Sequence, residues 1–145
     1  TRNHSSAASD VYKRQMHGRL QTLRCETSKR IEHRMSDSDL NDDFVYCNCC
    51  ADPSRMRPDI VWFGEMPMQM EEIYSAVESC DVFIVVGSSG HVYPAAGMVH
   101  VGRSIGAHTI LVNYEMPANG EDFDEVHLGK AGEILPELVE KWLEE

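Results

Sequence analysis

Val82 to Val86 is a run of five apolar residues that ends on Gly87-Ser88-Ser89-Gly90 and leads to Pro94 and two alanines. Five residues suit a buried strand, and proline is tolerated in the first turn of a helix because its missing N–H has no partner there. A strand running through a small-residue loop into a helix is half of a parallel crossover unit. The rest of the second half follows suit. Met70, Ile73, Tyr74 and Val77 are spaced as one face of a helix over 68–79. Pro94 opens a helix reaching about Ser104 and ended by Gly106, Thr109 to Val112 reads as a strand, and Ile134, Leu135, Leu138, Val139 and Trp142 mark a last amphipathic helix. With Asp59 to Phe63 (DIVWF) as a further strand, the pattern predicts an α/β fold. Its core is a partial Rossmann-like parallel sheet, with apolar strands covered by helices on both faces.

The first half has a different character. Residues 1–15 lack an apolar period and resemble a translated adapter, so they are read as a non-native tail, with the natural protein cut just before Met16. Residues 17–24 suit a short strand. Residues 25–57 are polar and too poor in large apolar groups to build a core, so something besides burial must hold them. The expected organisation is a tail (1–15), a small module (16–57) and a Rossmann-like portion (58–145).

Cys47 and Cys50 form a C-x-x-C, and Cys25 lies 22 residues upstream. That spacing suits a zinc-ribbon-like site, which takes four tetrahedral and largely thiolate ligands. Ser28 stands where a second upstream ligand would be, so Cys49, water or His33 is left to complete the set. Free thiols, or a redox pair of Cys47 and Cys50, compete with this reading. Five cysteines, an odd number with three of them in CNCC at 47–50, do not make a secreted disulfide framework. Cys80 closes an apolar helix and is read as packed.

The net charge of −11, with no concentration of Lys or Arg, argues against direct nucleic-acid binding. No apolar run approaches the roughly 20 residues of a membrane span, and no secretory signal is visible; a cytoplasmic protein is expected. Ligands of open parallel sheets bind beyond the carboxyl ends of the strands, where Gly87 to Gly90 and Asn113-Tyr114-Glu115 both fall. From pattern alone, a plain turn outweighs nucleotide binding there, since GSSG is not GxGxxG.

Several stretches together resemble the sirtuin family of NAD-dependent protein deacylases in its short bacterial form. They are His17-Gly18, Arg24-Cys25, CNCC at 47–50, RPDIVWFGEMP at 57–67, VVGSSGHVYPAAG at 85–97 and GAHTILVNYE at 106–115. The resemblance implies a catalytic base at His17 and zinc ligands at Cys25, Cys47 and Cys50. It implies NAD contacts at Gly87, Ser88, Ser89, Asn113, Tyr114, Glu115 and Ala131. An acyl-lysine peptide channel would be lined by Val61, Phe63, Gly64 and Glu65, the peptide adding as a strand. The implied activity is NAD-dependent protein lysine deacylation by a monomer acting on acylated lysines of proteins. The family's glycine-rich NAD loop and acyl-selecting residues precede the catalytic His, so this chain alone is expected to be inactive. A zinc-stabilised interaction module and a cofactor-binding domain like those of thiamine-diphosphate enzymes are the competing readings.

Overall fold

The computed structural model describes residues 14–34 and 45–144, with the side chains of 32–34 left aside. The tail expected at 1–15 therefore falls almost wholly outside the described residues, as does the side chain of His33. The chain divides between Met70 and Glu71 into two compact units.

The first unit is an antiparallel sheet in the order β2-β1-β3, formed by β1 (Gly18–Cys25), β2 (Ile31–Arg34) and β3 (Met56–Ile60). The β1–β3 ladder sets Gly18 opposite Ile60 at one end and Cys25 opposite Met56 at the other. Its buried cluster is Leu23, Cys25, Cys47 and Met56, flanked by Val45, Cys49 and Cys50. A core this small and this rich in sulfur bears out the expectation that apolar burial alone does not hold the module.

β3 corrects the reading of DIVWF. The strand stops at Ile60 and pairs antiparallel with β1, so it is not part of the parallel sheet. Trp62 is half exposed and Phe63 fully so. The apolar run continues past the strand because its aromatics belong to an outward-facing turn, a pattern that composition does not distinguish from a buried strand.

The second unit carries the parallel sheet, in the order β4 (Val82–Val86), β5 (His108–Asn113), β6 (Glu125–Leu128). Helices lie on both faces, as expected. On one side α2 (Met98–Ser104) brings Val99 against Leu111, Phe123 and Phe83. On the other, α3 (Ala131–Glu144) brings Ile134, Leu135 and Leu138 against Ile110 and Val112. Ile110, Leu111 and Val112 are at most 2% exposed, each contributing roughly 1.5–3 kcal/mol of burial. A further helix, α1 (Met70–Val77), precedes β4. Pro94 follows a cis peptide and precedes a 3-10 turn, Ala95–Gly97, that leads into α2.

Two details of the second unit depart from the pattern. β6 was not expected: its Glu-Val-His-Leu is too short and too polar to signal a strand. It is anchored by Asp124, whose carboxylate accepts bonds from the Thr109 N–H (2.9 Å) and hydroxyl (2.8 Å). Those bonds, Thr109's N–H first, hold the Asp124 carboxyl below its usual range. β4 is also not covered on both faces. Val82, Ile84 and Val86 are 37–49% exposed, because α3 lies under β5 and stops short of β4. Among the described residues no helix is long and apolar enough to cross a membrane.

Candidate functional site

The first constellation is sulfur. The Sγ atoms of Cys25, Cys47, Cys49 and Cys50 all lie within 4.8 Å of one another. β1 delivers Cys25, and the turn before β3 delivers the other three. The Cys25–Cys50 and Cys49–Cys50 separations are 3.7 and 3.8 Å. Four thiolates at about 2.3 Å from a tetrahedral zinc stand about 3.8 Å apart, so these distances are those of a ligand set. Cys49 thus lies with Cys25, Cys47 and Cys50 in one sulfur cluster that could hold a metal ion. Ser28 does not join the set but supports it. Its hydroxyl is 2.9 Å from Cys49 Sγ, and its N–H donates to Cys25 Sγ at 3.3 Å. The Ser54 N–H donates to Cys47 Sγ at 3.2 Å.

These donors favour thiolate. Hydrogen bonds from Ser28, hydroxyl first and then N–H, lower the Cys25 thiol to about 5. The Ser54 N–H lowers Cys47, whereas Cys50 is raised, chiefly by its contact with Cys25.

The second constellation lies at the other end of the same ladder. His17 is exposed, and only its backbone is pinned: its carbonyl accepts from the Val61 N–H at 3.0 Å. Gly18 follows at φ +80°, and a Cβ there would lie 2.0 Å from the Asp59 carbonyl oxygen. Glycine is the residue that lets β1 approach β3 this closely. His17 is thereby set directly beside Val61 to Glu65. Within that turn Glu65 points inward, accepting from the Trp62 N–H at 3.0 Å and pairing with Arg57 and Arg24. These bonds, Arg57's first, lower its carboxyl to about 2. The Glu65 carboxylate thus ties the turn from within.

The third constellation is the carboxyl edge of the parallel sheet. Gly87 follows β4, Asn113 ends β5, and Ala131 opens α3 just after β6, so the predicted residues converge on one rim. Asn113 ties them: its amide donates to the Ser88 carbonyl (3.0 Å) and the Glu115 carbonyl (2.7 Å), and its own carbonyl accepts from Gly129 N–H at 2.8 Å. The Ser88 and Ser89 hydroxyls accept from the Gly90 and His91 N–H groups, shaping the loop. Tyr114 stands 71% exposed above it. Gly87, at φ +65°, has open space where a side chain would project, as a loop that receives a ligand's backbone-close atoms requires. Sequence reasoning did not single out Asn119. It donates to the Ala96 carbonyl at 2.9 Å and sits against Gly90, where a Cβ would meet its Oδ1 at 2.2 Å. No local motif marks so distant a pairing.

Comparison with known proteins points one way. The model of the Sir2 family matches residues 3–94. An NAD-dependent protein deacylase of Salmonella typhimurium is 47% identical over 128 residues, covering 88% of this chain and 46% of that protein. One of Vibrio vulnificus is 49% identical over 128 residues, covering 88% and 51%. Among solved structures, a Sir2 homologue in complex with NAD superposes with a TM-score of 0.77 at 31% identity, over 87% of this chain and 49% of that one. A second Sir2 enzyme structure gives 0.72 at 35% identity, over 86% and 52%. The chain spans about half the length of the relatives it matches.

Proposed function

The chain belongs to the Sir2 family, and from that premise we propose that it serves NAD-dependent protein lysine deacylation. NAD, when bound, supplies ADP-ribose as the acceptor of the acyl group and releases nicotinamide. The single observation that carries the reading is the His17–Val61 hydrogen bond. It sets the backbone of His17, the one histidine of the first unit with a described side chain, beside Val61, where the turn assigned to the acyl-lysine peptide begins.

His17 would act as general base, accepting a proton through the ribose hydroxyls when NAD is bound. An imidazole fits because it changes charge near working pH. Val61, Phe63 and Gly64 receive the peptide, which adds as a strand through main-chain bonds. On the rim, Gly87, Ser88, Ser89, Asn113, Tyr114 and Glu115 would hold NAD. Ala131 would meet the adenine. Cys25, Cys47, Cys49 and Cys50 hold zinc, which fixes the small module. The protein partners are those carrying acylated lysine.

The test, made on a full-length version of the protein, is turnover of acetyl-lysine and succinyl-lysine peptides with NAD, read as nicotinamide release. Since the His17 side chain is exposed and only its backbone is bonded, His17→Ala should leave the melting temperature unchanged. It should cost about 10²–10⁴-fold in turnover, the worth of a positioned base. Undiminished turnover in that variant would refute the role. Zinc binding with no turnover in the unaltered protein would favour a non-catalytic interaction module.

A further inference from the structure

The turn from Ile60 to Glu65 is held in an unusual way. Its large side chains are outside: Phe63 is 102% exposed, Met66 82% and Trp62 52%. Apolar burial therefore does little to fix it. The fixing is ionic and comes from beneath. Arg24 and Arg57 are opposite each other in the β1–β3 ladder. Arg57, only 6% exposed, donates to the Ile60 carbonyl at 3.2 Å and pairs with Glu65 Oε1, and its guanidinium stacks on the Trp62 ring at 4.1 Å. Arg24 donates to the same carbonyl at 3.4 Å and to Glu65 Oε2 at 3.2 Å, with its Nε 3.7 Å from Asp59 Oδ1. Glu65 closes the loop on itself, since its N–H donates to the Trp62 carbonyl and its Oε2 accepts from the Trp62 N–H, both at 3.0 Å.

Two guanidinium groups and two carboxylates make a charge-balanced network that grips both ends of the turn. Apart from the Arg24–Asp59 pair, which lies beneath the turn, every contact is to the turn's backbone, to its closing carboxylate or to the face of its Trp. The outer faces of Val61, Phe63 and Gly64 are left untouched. That is the design expected where a loop must present a surface without collapsing onto it.

We propose that Arg57 and Glu65 are positioning residues that hold Val61 to Gly64 in the shape that receives the acyl-lysine peptide. They do not touch the peptide themselves. This rests on the deacylase reading above. Arginine is required because one planar fork must reach the Ile60 carbonyl and Glu65 while its face lies on Trp62; a lysine ammonium cannot do all three.

The test, made on a full-length version of the protein, compares steady-state kinetics of the unaltered form with Glu65→Gln and Arg57→Lys. Both variants should raise KM for the acyl-peptide by about tenfold. Turnover at saturating peptide and KM for NAD should stay within about twofold. Acrylamide quenching of Trp62, read in a Trp142→Phe background because the chain has two tryptophans, should rise in both variants. If peptide KM is unchanged, or if turnover and both KM values worsen together, the proposal fails. If Glu65→Gln does not fold, Arg57→Lys, which keeps the charge, carries the test. Absence of turnover in the unaltered protein sinks the deacylase reading and this proposal with it. Normal turnover with an indifferent Glu65→Gln sinks this proposal alone.

Discussion

Gly18→Ala is the sharpest probe of the geometry around His17. The substitution adds one methyl group, but the residue sits at φ +80° and the new Cβ would lie 2.0 Å from the Asp59 carbonyl oxygen. Ordinary contact begins near 3.4 Å, so β1 and β3 must separate by about 1.4 Å at this point. The left-handed backbone alone costs an alanine about 1–2 kcal/mol. Separation also threatens the Val61–His17 bond, worth about 1 kcal/mol net. The expected loss is about 2–4 kcal/mol of stability. It is read from urea unfolding followed by Trp62 emission in a Trp142→Phe background. Gly64→Ala is the matched control: its φ is +86°, yet nothing lies within 4 Å of its Cβ, so it incurs the strain without the clash. A Gly18→Ala loss no larger than that of Gly64→Ala would refute the close approach of the two strands.

Metal removal is the next test. Zinc should bind at one ion per chain, and a cobalt-substituted protein should show the charge-transfer intensity of four thiolates, falling in Cys49→Ala. Cys47→Ala or chelation should lower the first unit's unfolding midpoint sharply, since structural zinc contributes about 10–16 kcal/mol of apparent binding energy in small modules. Unchanged melting after complete removal would refute the structural role. Acid tests the clamp: the Glu65 carboxyl lies at about 2 against an ordinary 4.5. Its contribution is therefore present above about pH 4.5 and lost as pH falls toward 2. The difference in unfolding midpoint between the unaltered protein and Glu65→Gln should narrow across that window and be flat above it. A gap that stays constant from pH 6 to 2.5 would show that Glu65 is not held by charge.

What the sequence showed and what it hid divide along a physical line. β4, β5, α2 and α3 were readable because each buries a continuous or periodic apolar set: Val85 and Leu111 on one face, Ile110, Val112 and Leu138 on the other. β6 was hidden because its placement depends on one polar anchor, Asp124 on Thr109, whose partner lies 15 residues away. The end of β3 was hidden for the opposite reason. Val61, Trp62 and Phe63 look like core, and only the ionic network beneath them tells otherwise. In the cysteine module the spacing pointed to Cys25, Cys47 and Cys50, but it could not tell whether the adjacent Cys49 joins them; the turn brings all four sulfurs within 4.8 Å of one another.

β1 carries the catalytic candidate at one end and a metal ligand at the other. Between the partners of Gly18 and Cys25, which are Ile60 and Met56, β3 advances four residues, about 13 Å at about 3.3 Å per residue. A zinc held by Cys25 is thus far out of reach of atoms at His17, and it cannot polarise a group there as a Lewis acid would. Its influence can pass only along the ladder. Cys25 is opposite Met56, Arg24 opposite Arg57, and Gly18 opposite Ile60. Between the two ends, Arg24 and Arg57 reach out to Glu65 and the Ile60 carbonyl. Loss of the metal should therefore loosen the strand pairing first, then the ionic clamp, and then the peptide-facing turn. Partial metal depletion should thus weaken acyl-peptide affinity in the same direction as Glu65→Gln. A depleted sample whose turnover per metal-loaded molecule and peptide KM are both unchanged would fit a site that simply folds or does not. A peptide KM rising in a chain that keeps its metal but carries Ser28→Ala would show that the ladder transmits the strain.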